Sequence, residues 1–211
     1  YGKFEIEPLE RGFGTTLGNA LRRVMLSSLP GDAITSIKID GVAHEFQKLD
    51  GVIEDVTAIV LNVKSIVLKN HSDDYDKILR VSAVGPCVVT AGDIEKDADI
   101  EIFNPEQVIA TLAEGGSFNM EMTIANGRGY TRSEENKETF KNNKMNVIAV
   151  DSLYSPIERI NYEVESARVG QNNNYDKLIL EVWTNGSITP EEAISLASRI
   201  LIEHVQILAE L

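Results

Sequence analysis

Polar and apolar residues alternate over residues 3–7, Lys-Phe-Glu-Ile-Glu, which predicts a half-buried strand ended by Pro8. Gly12 and Gly14 then mark a turn. Thr15 or Thr16 is placed to cap a helix through Ser28, closed by Pro30-Gly31. On that helix Leu17, Ala20, Leu21, Val24, Met25 and Ser28 share one side, which can cover the chain's own sheet. Leu26 lies roughly opposite, flanked by Arg22 and Arg23 with Asn19 nearby. An exposed leucine is ordinary on a soluble protein, but arginine beside an exposed apolar residue is also the make-up of a protein-contact hot spot.

Further along, residues 33–39 read as a strand. Asp50 precedes Val52, Ile53, Val56, Ile59, Val60 and Val63, a helical spacing that predicts a helix over 51–63. Strands are predicted at 66–69, 77–83, 98–103 and 117–124, the last alternating cleanly. Residues 127–144, with Gly127-Arg128-Gly129 and many charged and amide side chains, read as a polar surface loop. Two long strands follow, 157–169 and 177–184, joined by a turn over Gly170–Asn174. Thr189-Pro190-Glu191-Glu192 combines an N-cap, a first-turn proline and a capping-box glutamate, and starts a helix that runs to Leu211.

That last helix is apolar over about half its circumference, through Ala193, Ile194, Leu196, Ala197, Ile200, Leu201, Val205, Ile207, Leu208 and Leu211, with Ile202 beyond the arc. A helix lying on one surface needs a narrower stripe. Either the helix is sandwiched between layers of its own chain, or one flank meets its own sheet and the other a second copy. The order of elements predicts an α+β chain. The two terminal helices share one layer on a sheet, and residues 31–155 form an insert bounded by Pro30-Gly31 and Ser155-Pro156.

Composition narrows the function. The 211 residues are 43% hydrophobic and 25% charged, ordinary for a globular protein, and no apolar run approaches a membrane span. No signal peptide is read at the start. The chain opens on Tyr1 rather than Met, so the expectation is that it begins inside a longer protein. The formal charge of −13 opposes direct binding of nucleic acid. Cys87 stands alone between apolar neighbours, which predicts a buried, inert thiol in a reducing cytoplasm.

Self-contained chemistry is thin. Gly12-x-Gly14-x-x-x-Gly18 opens a helix as a phosphate cradle does, and a nucleotide- or phosphate-ligand-binding module is the alternative function it offers. The spacing is one residue off the dinucleotide pattern and lacks the Lys-Ser/Thr of a P-loop, so a tight turn with close helix packing is favoured. His44, His71 and His204 are scattered, and no cysteine cluster exists for zinc. Ser27-Ser28 and Ser152–Ser155 lack a nucleophile elbow. Asp50, Glu54 and Asp55 suit a helix start without a metal, and Asp73-Asp74 reads as solvated loop. No catalytic residue and no metal ligand is assigned.

The segment LERGFGTTLGNALRRVMLSSLPG (Leu9–Gly31) closely resembles the signature of the bacterial RNA polymerase α-subunit N-terminal domain. The resemblance continues in IDGVAHEF (Ile39–Phe46), GVIEDVTAIVLNVK (Gly51–Lys64), GRGY (Gly127–Tyr130), VDSLYSPIERINYEVESARV (Val150–Val169), DKLILEVWTNGSITPEEAI (Asp176–Ile194) and the terminal helix, nearly the whole chain in order. It implies an α+β fold in which a dimerisation subdomain of sheet plus two helices, residues 1–30 and 156–211, is interrupted by an inserted, mostly β subdomain, 31–155. It also implies a further strand before Tyr1 and a linker and DNA-contacting domain after Leu211.

The function it implies is assembly of RNA polymerase, a nucleotidyltransferase complex for transcription, in the cytoplasm. Such a chain homodimerises and recruits the β and β′ subunits. It touches neither nucleic acid nor membrane and carries no cofactor, the magnesium and catalytic aspartates residing on the large subunits. By resemblance Arg22, Arg23 and Leu26 fall at the β contact, and Lys64, Arg168 and Lys177 at positions linked to β′. Leu21, Met25, Ile194, Leu201, Val205 and Leu208 fall at the dimer interface.

Overall fold

In a computed structural model, which describes residues 1–74, 76–139 and 145–210, the chain divides into two compact units. One unit is Tyr1–Pro30 with Ser155–Leu211, the other Gly31–Tyr154. The second junction lies one residue earlier than the expected 155/156 boundary. In chain order the elements are β1 (Gly2–Glu10), α1 (Phe13–Ser27), β2 (Pro30–Ile39), α2 (Val56–Lys64), β3 (Leu68–Asn70), β4 (Ile78–Val84), β5 (Cys87–Thr90), β6 (Ile100–Ile102), β7 (Val108–Leu112), β8 (Ser117–Arg128), β9 (Tyr130–Thr131), α3 (Ser133–Thr139), β10 (Ile148–Ala149), β11 (Ser152–Leu153), β12 (Ile157–Val169), β13 (Asn172–Thr184) and α4 (Pro190–Ala209). Mixed helix and largely antiparallel sheet make this an α+β chain.

In the discontinuous unit, strands from opposite ends of the sequence form one antiparallel sheet of order β1-β13-β12. Its core joins Leu21, Met25 and Leu29 of the α1 region to Ile157, Ile160, Leu178, Leu180 and Val182 of the sheet and Ala193 and Ala197 of α4. Pro8 does not end β1. The register shifts between Ile6 and Leu9, and the strand resumes against Asp176 and Tyr175. An edge strand accepts a proline at such an irregularity because one ladder donor is dispensable there. The β12–β13 turn is tighter than expected: Val169 pairs with Asn172, so Gly170 (φ 62°) and Gln171 turn the chain while Asn172–Asn174 already belong to β13.

The Gly31–Tyr154 unit has its own core. A four-stranded sheet, β10-β2-β8-β4, buries alternate residues Phe118, Met120, Met122 and Ile124 of β8 beside Leu79 and Val81 of β4. Val56, Ile59 and Val63 of α2, at helical spacing, complete it. The helix begins at residue 56 rather than 51. Val52 bridges Leu112, the Ile53 amide donates to the Thr111 carbonyl at 3.0 Å, and Glu54 accepts from the amide and hydroxyl of Thr111 at 2.6 and 2.8 Å. Residues 52–54 are thus drawn along β7, and Asp55 is the true N-cap, accepting from Ala58 at 2.7 Å.

Two further expectations are corrected. Cys87 is exposed, because its apolar neighbours Val84 and Val88 are themselves exposed at the end of the β4–β5 connection. The expected loop 127–144 is ordered over its first part, with β8 continuing to Arg128, then β9 and α3. The polar α3 is tied down by buried Asn136, whose side-chain amide donates to Val150 O at 2.7 Å and Ser152 Oγ at 2.9 Å. Residues 140–144 of that loop, and Leu211, lie outside the described residues.

Candidate functional site

The glycine turn leads into α1 on the discontinuous unit. Gly12 caps α1 with φ 95°, a left-handed conformation that suits glycine. Neither Thr15 nor Thr16 caps the helix; the Thr16 hydroxyl donates back to the Gly12 carbonyl at 3.2 Å. The cap comes from another strand. Asp176 of β13 accepts the Gly12 amide at 2.8 Å and the Gly14 amide at 3.1 Å through one carboxylate oxygen. The amides a phosphate would need are thereby bonded to the protein's own anion, and the phosphate-module alternative finds no support.

Gly14 and Gly18 let α1 lie close on the sheet. A Cβ on Gly14 would stand 2.7 Å from Val164 Cγ1, and one on Gly18 would stand 2.6 Å from Tyr162 Cδ2. Leu21 and Met25 continue that buried stripe, Met25 with no exposed surface at all. Both pack into the unit's own core, Leu21 with only 7% of its surface left exposed. Away from the sheet, Arg22 and Arg23 are exposed, and Leu26 is 40% exposed. Neither guanidinium has a hydrogen-bond or ion-pair partner among the described residues. Arg22, Arg23 and Leu26 therefore share one open flank of a rigid helix.

The second surface is the outer half of α4. Its start is built as expected: Thr189 Oγ1 accepts the Glu192 amide, and Glu192 accepts the Thr189 amide, both at 3.2 Å. Ala193 and Ala197 are fully buried, and Ile194, Leu196 and Ile200 pack beside them. Leu201 is partly buried. From Ile202 to Glu210 every residue is exposed, including Val205, Ile207 and, at 66%, Leu208. A 20-residue helix is about 30 Å long. Only its first half lies on the unit's core, so the rest overhangs with its apolar side chains bare. The arc on this helix reflects neither a sandwich within the described chain nor a surface stripe of ordinary width.

The three other basic positions are scattered. Lys177 on β13 pairs with Glu5 of β1 at 2.7 Å; that bond raises the lysine pKa and lowers the glutamate's. Arg168 on β12 donates from Nε to the Gly170 carbonyl at 2.7 Å, beside the hairpin turn. Lys64 ends α2 in the other unit and pairs with Asp151 at 2.8 Å. Asp151 also accepts the Ser133 amide at 2.8 Å. The Lys64 bond, then that amide, hold the Asp151 carboxyl at about 2. The pair sits in an open groove with exposed Phe46 and Leu61 on its walls.

Asp176, Asp151 and Glu54 do their work across long sequence separations, so no local spacing marks them. The one sequence clue was that α1 has no acid in its first turn to meet its dipole. Among the described residues no three His, Cys, Asp or Glu side chains converge on a point a metal could occupy, and no helix is long and apolar enough to cross a membrane.

Comparison with known proteins places these surfaces in context. Residues 37–155 match the family described as the RNA polymerase Rpb3/RpoA insert domain. The chain is 58% identical over 207 residues to a DNA-directed RNA polymerase subunit alpha from Moorella thermoacetica, covering 98% of this chain and 65% of that protein. It is 56% identical over 211 residues to the subunit alpha of Carboxydothermus hydrogenoformans and 57% identical over 211 to that of Symbiobacterium thermophilum, in each case covering 100% of this chain and 66% of the relative. The chain thus spans just under two thirds of the length of these curated relatives.

Proposed function

We propose, from the premise that this chain belongs to the RNA polymerase Rpb3/RpoA insert-domain family, that it is the assembly scaffold of a bacterial RNA polymerase. Two copies pair through the overhanging half of α4, and the dimer then recruits the unlike β and β′ subunits. The observation that carries this reading is the set of bare apolar side chains Ile202, Val205, Ile207 and Leu208 on a helix whose first half is anchored. A self-complementary patch of this kind closes into a two-fold dimer. Ile194 and Leu201 border that patch and extend it toward the core.

A two-fold dimer displays each docking surface twice. Binding the first large subunit breaks the symmetry, so the second copy is free to hold a different one. Arg22, Arg23 and Leu26 form the β-binding face: a guanidinium offers several donors in a planar fork, and its stem lies along apolar surface. Lys64, Arg168 and Lys177 are the β′-linked positions. Each makes a local bond in the free chain, and β′ exchanges or extends those bonds. This chain supplies no catalytic group; nucleotidyl transfer, with its magnesium, belongs to the large subunits, and the assembly works in the cytoplasm. The charge of −13 keeps the scaffold itself off nucleic acid.

The test is to add β and then β′ to the purified chain and weigh each product by native mass spectrometry. The expected series is a dimer, a dimer with one β, and a dimer with both. A chain that stays monomeric at micromolar concentration sinks the scaffold reading. Arg23→Ala is expected to leave the dimer intact and weaken β capture by about thirtyfold, as loss of a hot-spot arginine does. Undiminished capture would remove Arg23 from the β face.

A further inference from the structure

The way α1 is held raises a question its outward face alone does not answer. Leu21 and Met25 seat the middle of α1 in the core, and its start is held by separate contacts. Gly14 and Gly18 set how near α1 comes to β12 and β13, since a Cβ at either would strike Val164 or Tyr162. The polar contacts at its start act along the axis instead. Asp176 sits on β13 opposite Leu9 of β1 and Ser166 of β12, fixed in both ladders. From there its one oxygen reaches the Gly12 and Gly14 amides at 2.8 and 3.1 Å. Arg11 adds a bond from Nη1 to Asn174 Oδ1, 3.2 Å away on the same strand. No side chain of α1 caps the helix, and its first turn holds no acid, so Asp176 supplies the negative charge that the helix start attracts.

We propose that Asp176 is a positioning residue for partner docking: by taking the first amides of α1 it sets how far that helix is advanced along the sheet, and so where Arg22, Arg23 and Leu26 stand. The inference rests on the reading of α1 as the β-binding helix. An advance by one residue moves a helix about 1.5 Å and turns it by about 100°. Such a turn would carry Arg23 from the open side to a flank. The carboxylate bonds oppose it because both amides would lose an ionised acceptor, which is stronger than a neutral one.

The experiment compares wild type, Asp176→Ala and Asp176→Asn as full chains, measuring capture of purified β, dimer state by sedimentation, and hydrogen exchange of the Gly12 and Gly14 amides. Asp176→Ala is expected to remain dimeric, to expose both amides to exchange, and to lose about tenfold in β affinity. Asp176→Asn keeps one acceptor oxygen and is expected to recover part of the loss. Added formate, a free carboxylate for the vacated amides, is expected to restore capture in the alanine variant and leave wild type unchanged. A wild-type chain that does not capture β overturns the docking reading itself. Wild-type capture matched by Asp176→Ala, or an alanine variant whose loss formate leaves untouched, overturns the positioning role. Should Asp176→Ala fail to fold, the asparagine variant carries the comparison, and unchanged β affinity with unchanged amide protection overturns the proposal.

Discussion

Gly18 shows how one absent side chain decides a packing distance. Alanine there would gain about 1 kcal/mol of helix propensity. Its Cβ would also stand 2.6 Å from Tyr162 Cδ2 and 2.9 Å from Leu178 Cδ1, and overpacking of this kind costs about 1–3 kcal/mol. The clash wins, because Leu178 is fully buried and Tyr162 packs against the same core. Gly18→Ala is therefore expected to lower the thermal midpoint by about 2–4 °C for each kcal/mol lost, as read by calorimetry. Asp151 makes a second case. Lys64 first, then the Ser133 amide, hold its folded pKa at about 2, below its value in the unfolded chain. The unfolded state thus takes up that proton first as acid is added. The carboxylate's contribution is whole above about pH 4 and is lost as pH falls toward 2. Asp151→Asn is expected to flatten the fall of stability across that window, measured by urea midpoints at successive pH values. A slope identical to wild type would mean the pair contributes nothing.

Among elements, α1 and α4 differ in how they spend their apolar surface. Leu21 and Met25 of α1 are absorbed by the core, whereas α4 buries two alanines and leaves its last turns bare. Charging the bare part should separate association from folding. Val205→Asp with Leu208→Asp is expected to shift the stability of the single chain by no more than about 0.5 kcal/mol per site, as exposed positions do. The same pair is expected to move sedimentation from dimer to monomer. A dimer that survives both charges would place the partner-facing surface elsewhere. The helix N-termini differ too. Thr189 and Glu192 cap α4 from within, whereas α1 borrows its cap from β13. Only the former could be found by scanning neighbouring residues.

At the scale of the whole molecule, one unit is interrupted and the other continuous. β1 needs β13, about 170 residues away, so the discontinuous unit cannot form from either segment alone. The insert begins and ends at one place: Gly31 lies so close to the Tyr154 carbonyl that a Cβ could not fit between them. Ends that meet allow a unit to be inserted into, or cut from, a host. The segment 31–154 expressed alone is expected to unfold cooperatively with a single transition by circular dichroism, since its core draws on no residue outside it. A gradual, non-cooperative melt would show that it depends on the host unit.

The α+β class, the long β12–β13 hairpin, the capping box of α4 and the excess of apolar residues on that helix were all set by the order of residues, because each depends on neighbours within a few positions. The resemblance running from Leu9 to the terminal helix carried the family. Other outcomes needed the folded chain. Residues 52–54 follow β7 rather than a helix because Glu54 meets Thr111, and α3 forms because Asn136 reaches Val150 and Ser152. Met25 is spent inside while Leu208 is left outside, and Asp176 rather than Thr15 or Thr16 caps α1. Local pattern records what a residue prefers. Which surface is consumed, and which charge meets which amide, is decided by contacts between segments far apart in the chain, and those exist only once the sheet has brought them together.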